Sequence, residues 1–244
     1  MLRFIFTALF IALFLLLSIP FILVEEIIGL FNKDLKSRHY LKSVSWAFNV
    51  ALFLCGTKTT VIGAENIPKE PVLYVGNHRS IFDIVVTYPL VHDLTGFVAK
   101  KNLKKIPLLA TWMRNLHCLF LDRKDTRDGL KVILAAIEKV KSGISICIFP
   151  EGGRNKGEEL SMLPFKDGAL KISTKTNCAI IPMSLNNVES IFEKQFPRIK
   201  KTHVIVEFGK PIYPDDLPPE DKKRIGAYVQ NIIQETIIKN SELV

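Results

Sequence analysis

The chain of 244 residues carries 33 Lys and Arg against 24 Asp and Glu, a formal charge of +9, with 48% hydrophobic and 23% charged residues. That balance is too apolar for a disordered chain and too charged for a polytopic membrane protein, which leaves a globular body with a membrane-seeking part. The cationic excess favours an anionic partner, whether nucleic acid, an anionic lipid surface or a phosphorylated substrate.

Phe4 to Val24 contain no charged residue, and a helix of that length reaches about 30 Å, enough to cross a bilayer core. The run is long for a signal peptide and ends in Phe21-Ile22-Leu23-Val24-Glu25-Glu26 without a small-x-small cleavage site, so an anchor or a helix dipping into one leaflet is the better reading. A basic stretch comes next (Lys33, Lys36, Arg38, Lys42), then a shorter apolar run, Val44 to Cys55, which reads as interfacial. Only Arg3 precedes the first run, so the basic bias puts the downstream residues on the cytoplasmic side. Residues 1–56 are thus expected to be membrane-associated helices and 57–244 the catalytic domain.

Beyond Gly56 short apolar runs alternate with helical patterns. Strands are expected at Thr59–Ile62, Val72–Val75, Thr95–Val98, His117–Leu121, Ser145–Phe149, Ala179–Pro182 and Val204–Phe208. Helices are expected at Ile84–Leu90, Leu108–Asn115, Gly129–Ser142 and Ala169–Thr176, with an amphipathic C-terminal helix through Ile225, Val229, Ile233 and Ile237. The alternation predicts an α/β fold, a largely parallel central sheet flanked by helices.

Two loops carry groups suited to chemistry. Asn77-His78-Arg79-Ser80-Ile81-Phe82-Asp83 lies just after the second strand, at the carboxyl edge where α/β sheets bind ligands. The spacing lets Asp83 fold back onto the His78 imidazole and stabilise its protonated form. Ser80-x-x-Asp83 also fits a helix-capping box, and the spacing alone admits both. Phe149-Pro150-Glu151-Gly152-Gly153-Arg154 comes after the fifth strand: paired glycines let the backbone approach an anion and Arg154 can grip a phosphate, although a solvated Gly-Gly turn has the same pattern. Between Asp93 and Lys131, nine Lys and Arg stand against four Asp.

Other chemistries find no support. There is no G-x-S-x-G, Walker A, G-x-G-x-x-G or H-E-x-x-H motif, and His39, His78, His92, His117 and His203 lack metal-ligand spacing. Cys55, Cys118, Cys147 and Cys178 lie far apart among apolar neighbours and read as buried thiols. No nucleic-acid motif accompanies the positive charge, and nucleic-acid binding would leave Phe4–Val24 without a purpose.

In chain order, Asn77-His78-x4-Asp83, Lys100-Lys101-x-Leu103 with Ile106-Pro107 and Leu121-Asp122-Arg123, Phe149–Arg154 and Ile181-Pro182 resemble the four motifs of the glycerolipid acyltransferases, over roughly residues 56–215. The resemblance is to the bacterial branch that acylates 1-acyl-sn-glycerol-3-phosphate to phosphatidic acid. It implies His78 as general base, Asp83 as its orienting partner, and Glu151, Gly152, Gly153 and Arg154 as the acceptor phosphate site, with Lys105 as a further ligand of that phosphate. The acyl group would come from acyl-CoA or acyl carrier protein, with no cofactor or metal, and the partners would be a lysophospholipid and membrane lipid. Gly153 and Asn155 stand where the family usually has hydroxyl residues, and Ala110-Thr111-Trp112 where its second motif often has glycine. Another lysolipid acceptor, or a non-catalytic lipid-binding scaffold on the same fold, is the alternative.

Overall fold

The computed structural model describes residues 1–91 and 93–244, so His92 lies outside the described residues. Seven strands form one sheet: β1 (Lys58–Ile62), β2 (Leu73–Gly76), β3 (Thr95–Lys100), β4 (Leu119–Leu121), β5 (Ser145–Ile148), β6 (Ile180–Asn186) and β7 (His203–Phe208), in the order β1-β7-β6-β2-β5-β3-β4. Every pairing is parallel except β6 with β7. β2, β5 and β6 are buried along their whole length, so they read as continuous apolar runs rather than alternating ones.

Helices cover both faces. α2 (Lys33–Cys55), α3 (Phe82–Thr87) and α4 (Pro107–Asn115) share one buried cluster with Val72, Tyr74, Phe97, Cys147 and Ile181 of the sheet. α5 (Thr126–Lys141), α6 (Asp167–Thr176) and α8 (Ile225–Asn240) bury the opposite face around Leu73, Val75, Ile146 and Ile148, and the short α7 (Pro219–Lys223) leads into α8. α5 begins three residues before the periodic apolar pattern because Asp125 caps it, accepting from the N–H of Arg127 at 2.8 Å and of Asp128 at 3.3 Å.

α1 (Leu2–Phe31) and α2 form a helical hairpin broken at Asn32, whose extended backbone ends α1 and whose side chain accepts from the Leu35 N–H at 2.9 Å to start α2. The shorter apolar run, Val44–Cys55, is the second half of α2, and its Ala47, Ala51 and Cys55 are buried. Tyr40 and Cys55 of α2 are fully buried in the sheet's own core. Residues 57–244 therefore share their hydrophobic core with α2, and no packing boundary falls at residue 56 among the described residues.

α1 inverts the pattern of a soluble helix. Its buried positions are polar: Thr7 meets the Cys55 thiol at 3.5 Å, Ser18 accepts from the Trp112 indole N–H at 2.9 Å, and Glu25 lies 2.8 Å from His39. Its outward face, from Leu2 through Leu9, Leu13 and Leu17 to Leu23, Leu30 and Phe31, is exposed and apolar. It is the one described helix long and apolar enough to cross a membrane.

Candidate active site

β2 and β5 are adjacent parallel strands, with Val75 in register with Ile148. Each runs into a loop at the same carboxyl edge. The chain leaves β2 into α3 on one face and leaves β5 through α6 on the other, so both loops stay together in the crevice between the two crossovers. Sequence positions more than seventy apart thereby become neighbours.

His78 and Asp83 are buried, and His78 Nδ1 lies 2.8 Å from Asp83 Oδ2. The same oxygen accepts the backbone N–H of Arg79 at 2.8 Å and of Ser80 at 2.9 Å. Ser80 Oγ accepts the Phe82 N–H at 2.9 Å. Only half of the capping box forms: Asp83 accepts the Ser80 N–H, but α3 has Ile81 as its N-cap with no side-chain cap bond, so the oxygen that meets His78 braces the loop ahead of the helix. With Asp83 ionised, Nδ1 must be the protonated nitrogen, which leaves Nε2 with a free lone pair. Among the described residues Nε2 accepts no hydrogen bond. The ring stacks on Phe149 of the neighbouring loop, centroids 4.5 Å apart at 17°. Burial pushes the Asp83 carboxyl up, against the lowering by His78 and the two amides, and its Oδ1 has no partner.

Further contacts fix the loops to each other. Asn77 is clamped to β6, donating to the Leu185 carbonyl at 2.9 Å and accepting its N–H at 2.8 Å. Asn155 N–H donates to the His78 carbonyl at 2.7 Å. Glu151 is buried beneath the crevice, one oxygen accepting the His78 N–H at 2.6 Å and the other the Leu163 N–H at 2.8 Å. Burial pushes its carboxyl up. Glu151, expected as part of the acceptor phosphate site, thus spends both carboxylate oxygens on backbone amides and joins the His78 loop to the segment at Leu163.

The remaining members of the loop fit an anion better. Gly152 has φ +73°, a left-handed conformation that favours glycine, and a Cβ there would stand 2.8 Å from Lys166 Nζ. A Cβ on Gly153 would stand 3.5 Å from an Arg123 guanidinium nitrogen. Partial desolvation and the neighbouring Arg154 lower the Arg123 pKa, and Arg154 itself is paired with Glu193 at 3.0 Å. Arg123, Arg154 and Lys166 thus surround the two glycines. Lys105 sits on the exposed turn Lys101–Lys105 and makes no hydrogen bond or ion pair with this group among the described residues.

Arg123 and Lys166 escape sequence reasoning as site residues, although Arg123 closes the Leu121-Asp122-Arg123 segment and so could have been picked out. Glu193 gives no signal at all. Its carboxylate accepts from Ser80 Oγ at 2.6 Å, the Ile81 N–H at 2.8 Å and Arg154 Nη1 at 3.0 Å, so it ties the His78–Asp83 loop to the Glu151–Arg154 loop. Arg79 is similarly held by Glu189 and three loop carbonyls. A largely apolar cavity of about 400 Å³ adjoins the second loop, lined by Phe149, Pro150, Gly152 and Arg123 together with Gly129, Val132 and Ile133 of α5.

The Acyltransferase family model matches residues 58–186, a span that contains both loops. The 1-acyl-sn-glycerol-3-phosphate acyltransferase of Saccharomyces cerevisiae is 29% identical over 76% of this chain and 60% of the yeast protein. That of Borreliella burgdorferi is 30% identical over 80% of this chain and 76% of its own length. The crystal structure of the 1-acyl-sn-glycerophosphate (LPA) acyltransferase PlsC from Thermotoga maritima matches with a TM-score of 0.81, covering 98% of this chain and 95% of that one at 23% identity, a likeness of fold. Matched over more than half its length by the family model, the chain belongs to the acyltransferase family.

Proposed function

We propose that the protein is a membrane-seated 1-acyl-sn-glycerol-3-phosphate acyltransferase that makes phosphatidic acid. The observation that carries this reading is the placement of a buried, Asp83-oriented His78 beside three cations gathered on two glycines. The acceptor phosphate binds between Arg123 and Arg154, where a dianion relieves the repulsion of the two guanidinium groups. Its free hydroxyl then faces His78 Nε2. As that hydroxyl attacks the thioester carbonyl, Nε2 takes its proton and Asp83 stabilises the imidazolium. The tetrahedral oxyanion collapses with cleavage of the carbon–sulfur bond, and the imidazolium returns the proton to the departing thiolate. No acyl-enzyme is needed. The donor is acyl-CoA or acyl carrier protein, and the apolar cavity behind Phe149 suits its alkyl chain.

The same reading seats the hairpin of α1 and α2 in one leaflet, on the cytoplasmic side where the basic residues after α1 place the body. A helix with polar contacts inside and, between Arg3 and Glu26, an exterior free of charge is suited to lipid rather than water. Phe14 and Phe21, in the middle of α1, pack on Trp112 of the catalytic body at 5.0 and 5.5 Å. A perpendicular span would carry that body into the hydrocarbon, so α1 lies along the interface.

Replacing Arg123 or Arg154 by Ala tests the acceptor. Removing a hydrogen bond to a charged group costs roughly 1.5–3 kcal/mol, so kcat/KM for lysophosphatidate should fall by about 10-fold or more, while a monoacylglycerol, which has no phosphate, keeps its low rate. An equal fractional loss for both acceptors would refute the phosphate assignment. A second acceptor reading, another lysolipid, is favoured by Asn155, whose side chain donates to the Ser161 carbonyl at 2.8 Å and accepts the Gly157 N–H at 2.8 Å, leaving no hydroxyl for a phosphate. Higher wild-type kcat/KM on a choline or ethanolamine lysolipid would establish it.

A further inference from the structure

One end of the helical hairpin carries a surface that neither the acyl-transfer chemistry nor the long face of α1 accounts for. Phe4, in the first turn of α1, stacks on Phe192 with centroids 5.7 Å apart at 5°. Phe192 meets Phe196 at 5.3 Å on one side and Phe82 of α3 at 6.2 Å on the other. Phe196 is 72% exposed, and Phe53, near the end of α2, is 80% exposed. Arg3 Nη1 donates to the Leu54 carbonyl at 3.2 Å, which brings the start of α1 against the end of α2. Lys58 N–H donates to the Thr202 carbonyl at 2.9 Å, which brings the start of β1 beside the approach to β7.

Chemically this end has an apolar centre and a cationic rim. Leu2, Phe6, Phe53 and Phe196 are exposed within it. Arg3, Lys58, Arg198, Lys200 and Lys201 are exposed around them, and among the described residues none of the five forms an ion pair. Glu193, the acid within the segment, is turned inward onto Ser80, Ile81 and Arg154.

We propose that the segment Phe192–Lys201, with the first turn of α1 and the start of β1, is a docking surface for anionic bilayers. Phe196 and Phe53 enter the acyl boundary and the five cations meet the lipid phosphates. The partner is lipid rather than protein because the apolar centre runs directly into the exposed face of α1 and the rim carries one sign of charge only. The surface also adjoins the chemistry. Phe192 packs on the helix that bears Asp83, and the next residue holds the catalytic loop. Docking there opens the crevice at the lipid surface, where an anionic lysolipid is concentrated. This inference rests on the membrane-seated reading of the hairpin and adds to it a lipid charge preference and its site.

The full-length protein, diluted from detergent, is floated with vesicles of phosphatidylcholine alone or of phosphatidylcholine with phosphatidylglycerol. Each basic side chain near an anionic surface contributes about fivefold to binding, so R198Q/K200Q/K201Q should lower the ratio of anionic to neutral partitioning by roughly 100-fold, with neutral binding unchanged. F196S should weaken binding to both vesicle types. A triple variant that melts like wild type and keeps its ratio overturns the proposal, as does an F196S protein that binds both vesicle types undiminished. A second measurement needs no variant: high salt should erase the anionic preference of the wild type without altering neutral binding, and persistence of the preference overturns the proposal equally. Wild-type protein that binds neither vesicle refutes the membrane-seated reading itself, a result distinct from equal binding to both, which refutes only the charged surface.

Discussion

Oδ2 of Asp83 takes three donors at 2.8–2.9 Å, the His78 ring and the Arg79 and Ser80 amides, and that convergence holds both the imidazole and the loop ahead of α3. Spacing shows that Asp83 can reach either and cannot show that one oxygen meets both. His78→Ala should cut kcat by about 10²–10⁴ with the fold intact, a loss of the size a general base supplies; a protein keeping more than a tenth of wild-type kcat would exclude that role. Asp83→Asn should lose less. It also separates function from stability. A carboxyl whose native pKa is raised by burial binds its proton more tightly folded than unfolded, so stability falls as pH rises from the ordinary carboxylate range through the raised value. The amide removes that cost, so Asp83→Asn should gain melting temperature relative to wild type between about pH 4 and about pH 8. Calorimetry at both pH values checks it, and a relative loss on going up would mean that the ionised carboxylate stabilises the fold. Glu193 lies 113 residues from Ser80 and 39 from Arg154, contacts that no local pattern reveals. Its hydrogen bonds to loop groups predict a fall of about 10–100-fold in kcat/KM for Glu193→Ala. Glu193→Gln keeps an acceptor for the Ile81 N–H and should restore most of kcat, leaving an altered KM for lysophosphatidate as the sign that the Arg154 pair was lost. Equal kcat for the two variants would argue against loop positioning.

At the scale of elements, the central strands β2 and β5 are readable because burial on both faces writes an apolar run with turn residues at its ends. β6 is legible only as far as Pro182, because it continues through Ser184 and Asn186, polar residues that ordinarily mark a strand's end. They are tolerated by α8, whose Ile233 carbonyl accepts from Ser184 Oγ at 3.5 Å and whose Ile237 carbonyl accepts from Asn186 Nδ2 at 2.8 Å. Partnership of that kind is tertiary and has no local signature. Likewise the basic first turns of α2 mask its later contribution to the core. His117, expected to open β4, instead takes a left-handed conformation at φ 59°, two residues ahead of the strand. The cavity against α5 yields a test at this scale. Gly129 lines it, lies within a helix, and offers a Cβ nothing within 4 Å. Gly129→Leu should therefore raise stability, since glycine within a helix costs roughly 0.5–1 kcal/mol against alanine, while its side chain shortens the space for an alkyl chain. The donor preference should move to shorter acyl chains, read as the ratio of kcat/KM for long over short acyl donors. An unchanged ratio in a stabilised variant would place the chain elsewhere.

For the whole molecule, the composition implies a body with a membrane-seeking part, and the structure shows how closely the two are joined. The apolar run is legible as lipid-facing because it lacks charge; the direction it takes is not, since length fits a span and an in-plane helix equally. Lateral packing is what supports the in-plane direction proposed above. At about 1.5 Å per residue α1 is about 45 Å long, and α2 and Trp112 of α4 brace it on the catalytic side. Both ends of an in-plane α1 face the same aqueous compartment. Cys55, Cys147 and Cys178 are buried and Cys118 partly so, which makes a membrane-impermeant maleimide selective for an introduced thiol. Single cysteines placed at Arg3, on the cationic rim at the aqueous surface, and at Lys33, in sealed vesicles that expose the cytoplasmic side, should both label without detergent. A spanning helix would leave one of them protected until the vesicles are opened. Protection of Arg3→Cys alone would put the N-terminus across the bilayer and require α1 to leave Trp112, so a simultaneous loss of the Trp112 contacts, read from indole fluorescence, would be its necessary companion.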